Sequence, residues 1–119
     1  MKPKKIIFLA GEDTYILSHR LPTIKAAARA GYEVHIVAQD TGQGQDVSNL
    51  GFVFHPRIGN RKDRSPVALL NSILQLRSLL KAVRPHSLHN IGFQFIVLGM
   101  LAALGLNLQH IYNSVNGVG

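Results

Sequence analysis

Ile6-Ile7-Phe8-Leu9-Ala10-Gly11-Glu12-Asp13, continued by Ser18-His19-Arg20-Leu21-Pro22, is the stretch that decides the fold. The apolar run reads as a buried strand, the Gly-acid-acid step as a loop, and the Ala-rich amphipathic segment beyond it as a helix. That is the first β-α unit of a doubly wound parallel sheet. In such sheets ligands sit outside the carboxyl ends of the strands, so Glu12, Asp13, Ser18, His19 and Arg20 fall where chemistry is expected.

Outward from this unit the pattern repeats. A helix is predicted from about Ser18, as N-cap, to Ala30, with Pro22 in its first turn and Gly31 as its stop. Strands are predicted over Glu33–Ala38, Phe52–His55, Ser87–Asn90 and Gln109–Asn113, and the Gly-rich stretch from Gln39 to Asn49 reads as a loop with room for a helical turn. Apolar residues at helical spacing from Pro66 to Val83 give an amphipathic helix that ends before Arg84-Pro85. A further helix is predicted over Phe93–Leu104. Its surroundings, residues 91 to 106, are apolar apart from Gln94, but too short for a membrane span, which needs about 20 residues. A buried helix that is apolar all round also suggests contact with another domain, a partner or a bilayer surface. Alternation of this kind calls for an α/β fold, a doubly wound parallel sheet of about five strands in the order 3-2-1-4-5.

The 119 residues, 46% of them hydrophobic, suffice for one domain with a real core. The absence of cysteine excludes a disulfide framework, a thiolate zinc site and a cysteine nucleophile, and suits a reducing cytoplasm. A formal charge of +7 points to anionic partners: nucleic acid, a phosphorylated ligand or acidic lipid. Nucleic acid is disfavoured, because the five phenylalanines sit in apolar runs instead of alternating with the basic residues. The densest basic patch is Arg57, Arg61, Lys62 and Arg64, in a stretch composed like an exposed loop. Lys2, Lys4 and Lys5 read as a solvated flank or as contacts to lipid head groups.

No Gly-x-Gly-x-x-Gly fingerprint follows the first strand, and no phosphate-loop pattern occurs. Gly11 stands alone there, either as a turn with positive φ or as a point of close ligand approach. His19 and Arg20 at a helix start suit an anion: Arg20 as a bidentate phosphate ligand, His19 as a hydrogen-bonding partner of a sugar or diphosphate oxygen. The alternatives are a salt bridge from Arg20 to Glu12 or Asp13 and a satisfied histidine. Glu12 and Asp13 diverge from one another, so they read as solvated acids or as one general base. His89-Asn90 and Asn113-Ser114-Asn116-Gly117 end the fourth and fifth strands and converge on the same edge. Histidine spacing gives no metal site.

Together, Ile6-Ile7-Phe8-Leu9, Tyr15 to Pro22, Ala26 to Val34, Leu50-Gly51-Phe52, Val83-Arg84-Pro85, His89 and Ser114 to Gly119 resemble the N-terminal domain of family 4 glycosyltransferases of the GT-B type, a Rossmann-like fold. The nearest resemblance is to bacterial enzymes that build capsule, O-antigen or lipid-linked glycan precursors. It implies retaining transfer of a sugar from a nucleotide sugar to a polyprenyl-diphosphate-linked acceptor, with no metal and no further cofactor. The N-terminal domain would supply the acceptor contacts, carried over to Gly11, Glu12, His19, Arg20, His89 and Asn90, and a surface at the inner face of the membrane.

Asn116 and Gly117 fall on the donor side, and Asp13, His19 and Asn116 are the catalytic candidates. Many members carry histidine in the place of Asn116. The family's C-terminal donor domain lies beyond residues 1–119, which leads to three readings: one domain of a transferase, inactive alone; the acceptor and membrane-binding subunit of a split enzyme; or a nonenzymatic anion-binding module. Self-association through a free sheet edge is a further expectation.

Overall fold

Lys5–Glu12 forms β1, the central strand of a five-stranded sheet, with Ile7, Leu9 and Ala10 wholly buried. The computed structural model describes residues 3–57 and 65–115. All pairings are parallel, β1 lying between β2 (Glu33–Gln39) and β4 (Ser87–Ile91), with β3 (Val53–Pro56) and β5 (His110–Ser114) at the two edges. The order is therefore 3-2-1-4-5, as the sequence predicts. Pro56, which has no N–H to give a ladder, closes the edge strand β3, where its cost is small.

Side chains alternating along each strand divide the core in two. On one face Ile6, Phe8 and Ala10 meet Ile24 of α2 (Leu21–Arg29) and Val47 of α3 (Gly44–Asn49). On the other, Ile7, Leu9 and Leu88 meet Leu76, Leu80 and Val83 of α4 (Pro66–Val83) and Phe95 and Leu98 of α5 (Phe93–Ala102). α4 begins as the sequence suggests, with the Ser65 hydroxyl accepting from Ala68 N at 3.2 Å and Pro66 just inside the helix. Gly31 stops α2 and Gly92 opens α5 at φ of 98° and 96°, a region costly for residues with a Cβ.

The helix predicted from Ser18 differs from the observed one. Asp13–Tyr15 makes a first helical turn, α1, Ile16–Arg20 widens into a π-helical turn, and regular α-helix resumes only at Leu21. Ser18 is thus no N-cap: it lies inside the wide turn and its hydroxyl donates back to Thr14 O at 2.8 Å. Lys5, at the amino end of the sheet, donates from its ammonium to Val83 O at 3.3 Å and lies 3.9 Å from Glu33. No helix among the described residues is long and apolar enough to cross a membrane.

Candidate functional site

The carboxyl edge of the sheet is shaped by a bulge. β1 keeps step with β2 from Lys5 to Leu9, but Glu12 pairs with Gln39, so β1 spends an extra residue around Ala10 and Gly11. Gly11 is part of this strand and does not take the positive φ of a turn, which corrects that reading. The bulge re-aims the chain into α1.

Asp13 lies directly after it and is completely buried. Its carboxylate accepts from Thr14 N at 2.8 Å, Thr41 N at 2.9 Å and Gln43 N at 2.8 Å, and from the Thr41 hydroxyl. Burial by itself would raise its pKa, but these donors together outweigh burial and hold the carboxyl below its ordinary value. The solvated-acid reading thus fails for Asp13. The residue is a charged tie between the β1 end and the loop after β2, while Glu12 is half-buried at the strand terminus.

The π-helical turn sets out the next side chains. A π-turn adds one residue to a helical circuit, and such turns occur often at functional sites. Here it lets the exposed His19 ring stack on Tyr15 at 5.0 Å, while Arg20 Nε donates to the Tyr15 hydroxyl at 3.2 Å and its guanidinium sits 5.8 Å from the same ring. The Ser18 hydroxyl has one hydrogen, given to Thr14 O, so its 2.6 Å contact with His19 Nδ1 is a bond from Nδ1–H to Oγ. In the neutral ring that arrangement leaves the lone pair on His19 Nε2.

Across the edge, His89 is half-buried between Phe8 at 5.3 Å and Tyr112 at 6.0 Å, with Nε2 2.6 Å from Ser114 Oγ. Burial first, and then the positive charge of Arg20, push its pKa below the usual 6.5. The turn after β1 thus bears electrostatically on β4, the strand paired with β1. Asn90 is fully buried: its Nδ2 donates to Asn113 Oδ1 at 3.0 Å and its amide lies against Gly99 of α5. Such a side chain supports the edge from below. Asn116 and Gly117 lie outside the described residues, as do Arg61, Lys62 and Arg64.

The edge can therefore offer an anion one guanidinium and two imidazoles, of which His89 favours the neutral form. No group of three metal-binding side chains occurs among the described residues. The Thr41–Gln43 loop escapes a reading by motif, because it contributes through contacts with Asp13, 28 and 30 positions away.

A bulged central strand with a helical start at its carboxyl end, within a parallel 3-2-1-4-5 sheet, makes this a Rossmann-like α/β domain, the fold it shares with solved GT-B glycosyltransferases. More narrowly, the chain belongs to the glycosyl transferase 4-like family, whose model matches residues 5–119. It is 25% identical over 127 residues to a UDP-N-acetylglucosamine–N-acetylmuramyl-(pentapeptide) pyrophosphoryl-undecaprenol N-acetylglucosamine transferase of Dichelobacter nodosus, covering 99% of this chain and 35% of that protein. In fold it is similar to a glycosyltransferase from Rickettsia africae, with a TM-score of 0.77, 13% identity and coverage of 100% of this chain and 31% of the other. Acinetobacter baumannii MurG is also similar, with a TM-score of 0.72, 18% identity and coverage of 93% and 34%. The chain spans about a third of the length of these relatives.

Proposed function

We propose that this chain is the acceptor side of a glycosyltransferase that moves a sugar from a nucleotide sugar to a polyprenyl-diphosphate-linked glycan at the inner face of the membrane. What supports this reading is that the π-turn after β1 carries His19 and Arg20 and that β4, paired with β1, carries His89, on which the Arg20 charge bears. A diphosphate is a multiply charged anion, and Arg20, positioned by Tyr15, can take two of its oxygens at once. The exposed His19, in the neutral tautomer with Nδ1–H bonded to Ser18, can accept a hydrogen bond or a proton at Nε2 from an acceptor hydroxyl. Asp13 keeps these groups in place and does not itself reach the substrate. The Dichelobacter relative is named for a pyrophosphoryl-undecaprenol acceptor, which supports the same substrate class here.

The donor nucleotide belongs to the other half of such an enzyme, as a domain or a separate subunit, so transfer is expected only when that half is present. Retention of the anomeric configuration, as family 4 resemblance implies, is read from the anomeric proton coupling of the product. The direct test of the acceptor site is equilibrium binding of a soluble short-prenyl diphosphate sugar to this chain. Arg20→Ala is expected to weaken it at least tenfold, the loss of a bidentate pair of charge-assisted hydrogen bonds. Unchanged affinity in Arg20→Ala overturns the assignment.

A further inference from the structure

On the opposite face of the sheet, between α4 and the strands, lies a cavity of about 430 Å³. Its floor is Leu9, Val37, Leu76 and Leu98, all buried, with half-buried Leu79 beside them. The more open part of the wall is polar, with Ser72 and Gln75 from α4 facing His55 and Arg57 at the end of β3. The Arg57 guanidinium stands 5.1 Å from the Phe95 ring, which fixes a positive charge where the apolar wall ends.

An apolar cavity of roughly 150 Å³ is enough to take up benzene, and small-molecule pockets begin near 300 Å³. This cavity exceeds both. An apolar body, partly open to solvent, with a cation and hydroxyl and amide groups at one end is complementary to a molecule with a hydrocarbon chain and an anionic head. It is not the candidate acceptor edge: His19, Arg20 and His89 do not line it.

We infer that the cavity beneath α4 is a second binding site, for a medium-length alkyl or prenyl chain carrying a phosphate. The chain lies against Leu9, Leu76, Leu79 and Leu98, and the phosphate meets Arg57, Ser72 and Gln75. His55 forms the remaining wall, its Nε2 held 2.9 Å from His35 Nδ1, while His35 Nε2 lies 2.7 Å from Glu33 Oε2. This relay keeps the imidazole ring fixed in position at the cavity wall.

The test is titration of the whole chain with decyl phosphate, followed by leucine-methyl NMR and calorimetry, with decanol and inorganic phosphate as the two half-probes. Saturable one-to-one binding is expected, with shifts at Leu76, Leu79 and Leu98, at least tenfold tighter than for decanol, and no methyl shifts with inorganic phosphate. Ser72→Trp or Gln75→Trp, each of which fills the cavity, should reduce affinity at least tenfold in whichever variant keeps the wild-type circular dichroism spectrum. Arg57→Gln should weaken decyl phosphate and leave decanol unchanged, and Arg20→Ala should leave the shifts at Leu76, Leu79 and Leu98 unchanged with either probe, which separates this site from the acceptor edge. Adsorption to phosphatidylglycerol vesicles should not respond to Ser72→Trp if the ligand is a free amphiphile, and should fall with it if the ligand is a membrane lipid chain. Methyl shifts confined to the outer surface of α5, or equal affinity in a folded cavity-filling variant, overturn the inference.

Discussion

At Asp13 a single carboxylate joins the end of β1 to the loop after β2. Its charge is matched by three main-chain donors and one hydroxyl. Asp13→Asn presents an amide hydrogen to one of those donors, and is expected to cost about 2 kcal/mol in urea unfolding at pH 7. The folded carboxyl titrates below its ordinary 3.8 while the unfolded one does not, so this stabilisation is complete above that value and is lost as pH falls through the folded pKa. The difference between wild type and Asn variant should therefore shrink below about pH 4; a constant difference refutes the tie. For His55 and His89, folded pKa values lie below 6.5, so the unfolded chain takes up protons first and stability declines as pH drops under 6.5. Arg20→Ala should raise the His89 pKa in an NMR titration, though not to 6.5, because burial is the larger cause. No change would mean that the two side chains are not neighbours. Sequence pattern places His19, Arg20 and His89 at one edge because strand ends are countable. It misreads Asp13, since two adjacent acids after a glycine look solvated and the partners at Thr41 and Gln43 carry no motif.

Elements show the same division. The strand order follows from alternation alone, because parallel strands with helical crossovers leave few right-handed ways to return. The π-turn does not: a hydrogen-bond slip of one residue leaves the apolar period of Ile16, Leu17 and Leu21 close to helical, so Ser18 reads as a cap. The fit of α5 onto β4 is equally invisible, and depends on one glycine. A Cβ at Gly99 would overlap the Asn90 side chain, which is buried and cannot swing outward. Gly99→Ala is therefore expected to destabilise by about 2–3 kcal/mol despite the better helix propensity of alanine. In the double variant with Asn90→Ala the two losses should not add, the second change relieving much of the first. Additive losses in thermal or urea unfolding would show that the contact is not the source.

For the whole molecule, charge and exposed apolar surface act together. Thirteen Lys and Arg oppose six Asp and Glu, giving +7. The outer side of α4 carries Val67, Leu70 and Leu74, and that of α5 carries Phe93, Val97 and Leu101, followed by Leu104 in the turn beyond it, with Phe93 74% and Val67 69% exposed. Both helices pack on the same face of the sheet, so their apolar stripes belong to one side of the molecule. Exposed apolar residues aligned on two neighbouring helices suit a partner or a bilayer surface, and a bilayer-facing role predicts that the basic chain meets anionic lipid before the stripes insert. Binding to phosphatidylglycerol vesicles is expected at low salt and should weaken as salt shortens the screening length from about 10 Å at 0.1 M toward 3 Å at 1 M. Phe93→Ser should remove about 1.5–3 kcal/mol if the ring enters the acyl region, a loss of tenfold or more in partitioning. A cosedimentation series over both salt and Phe93→Ser separates the contributions: charge alone predicts full reversal by salt with no effect of the serine, and insertion predicts a residue of binding in high salt that the serine abolishes. Equal partitioning into phosphatidylcholine vesicles would remove charge from the account and leave the stripes as a protein-facing surface.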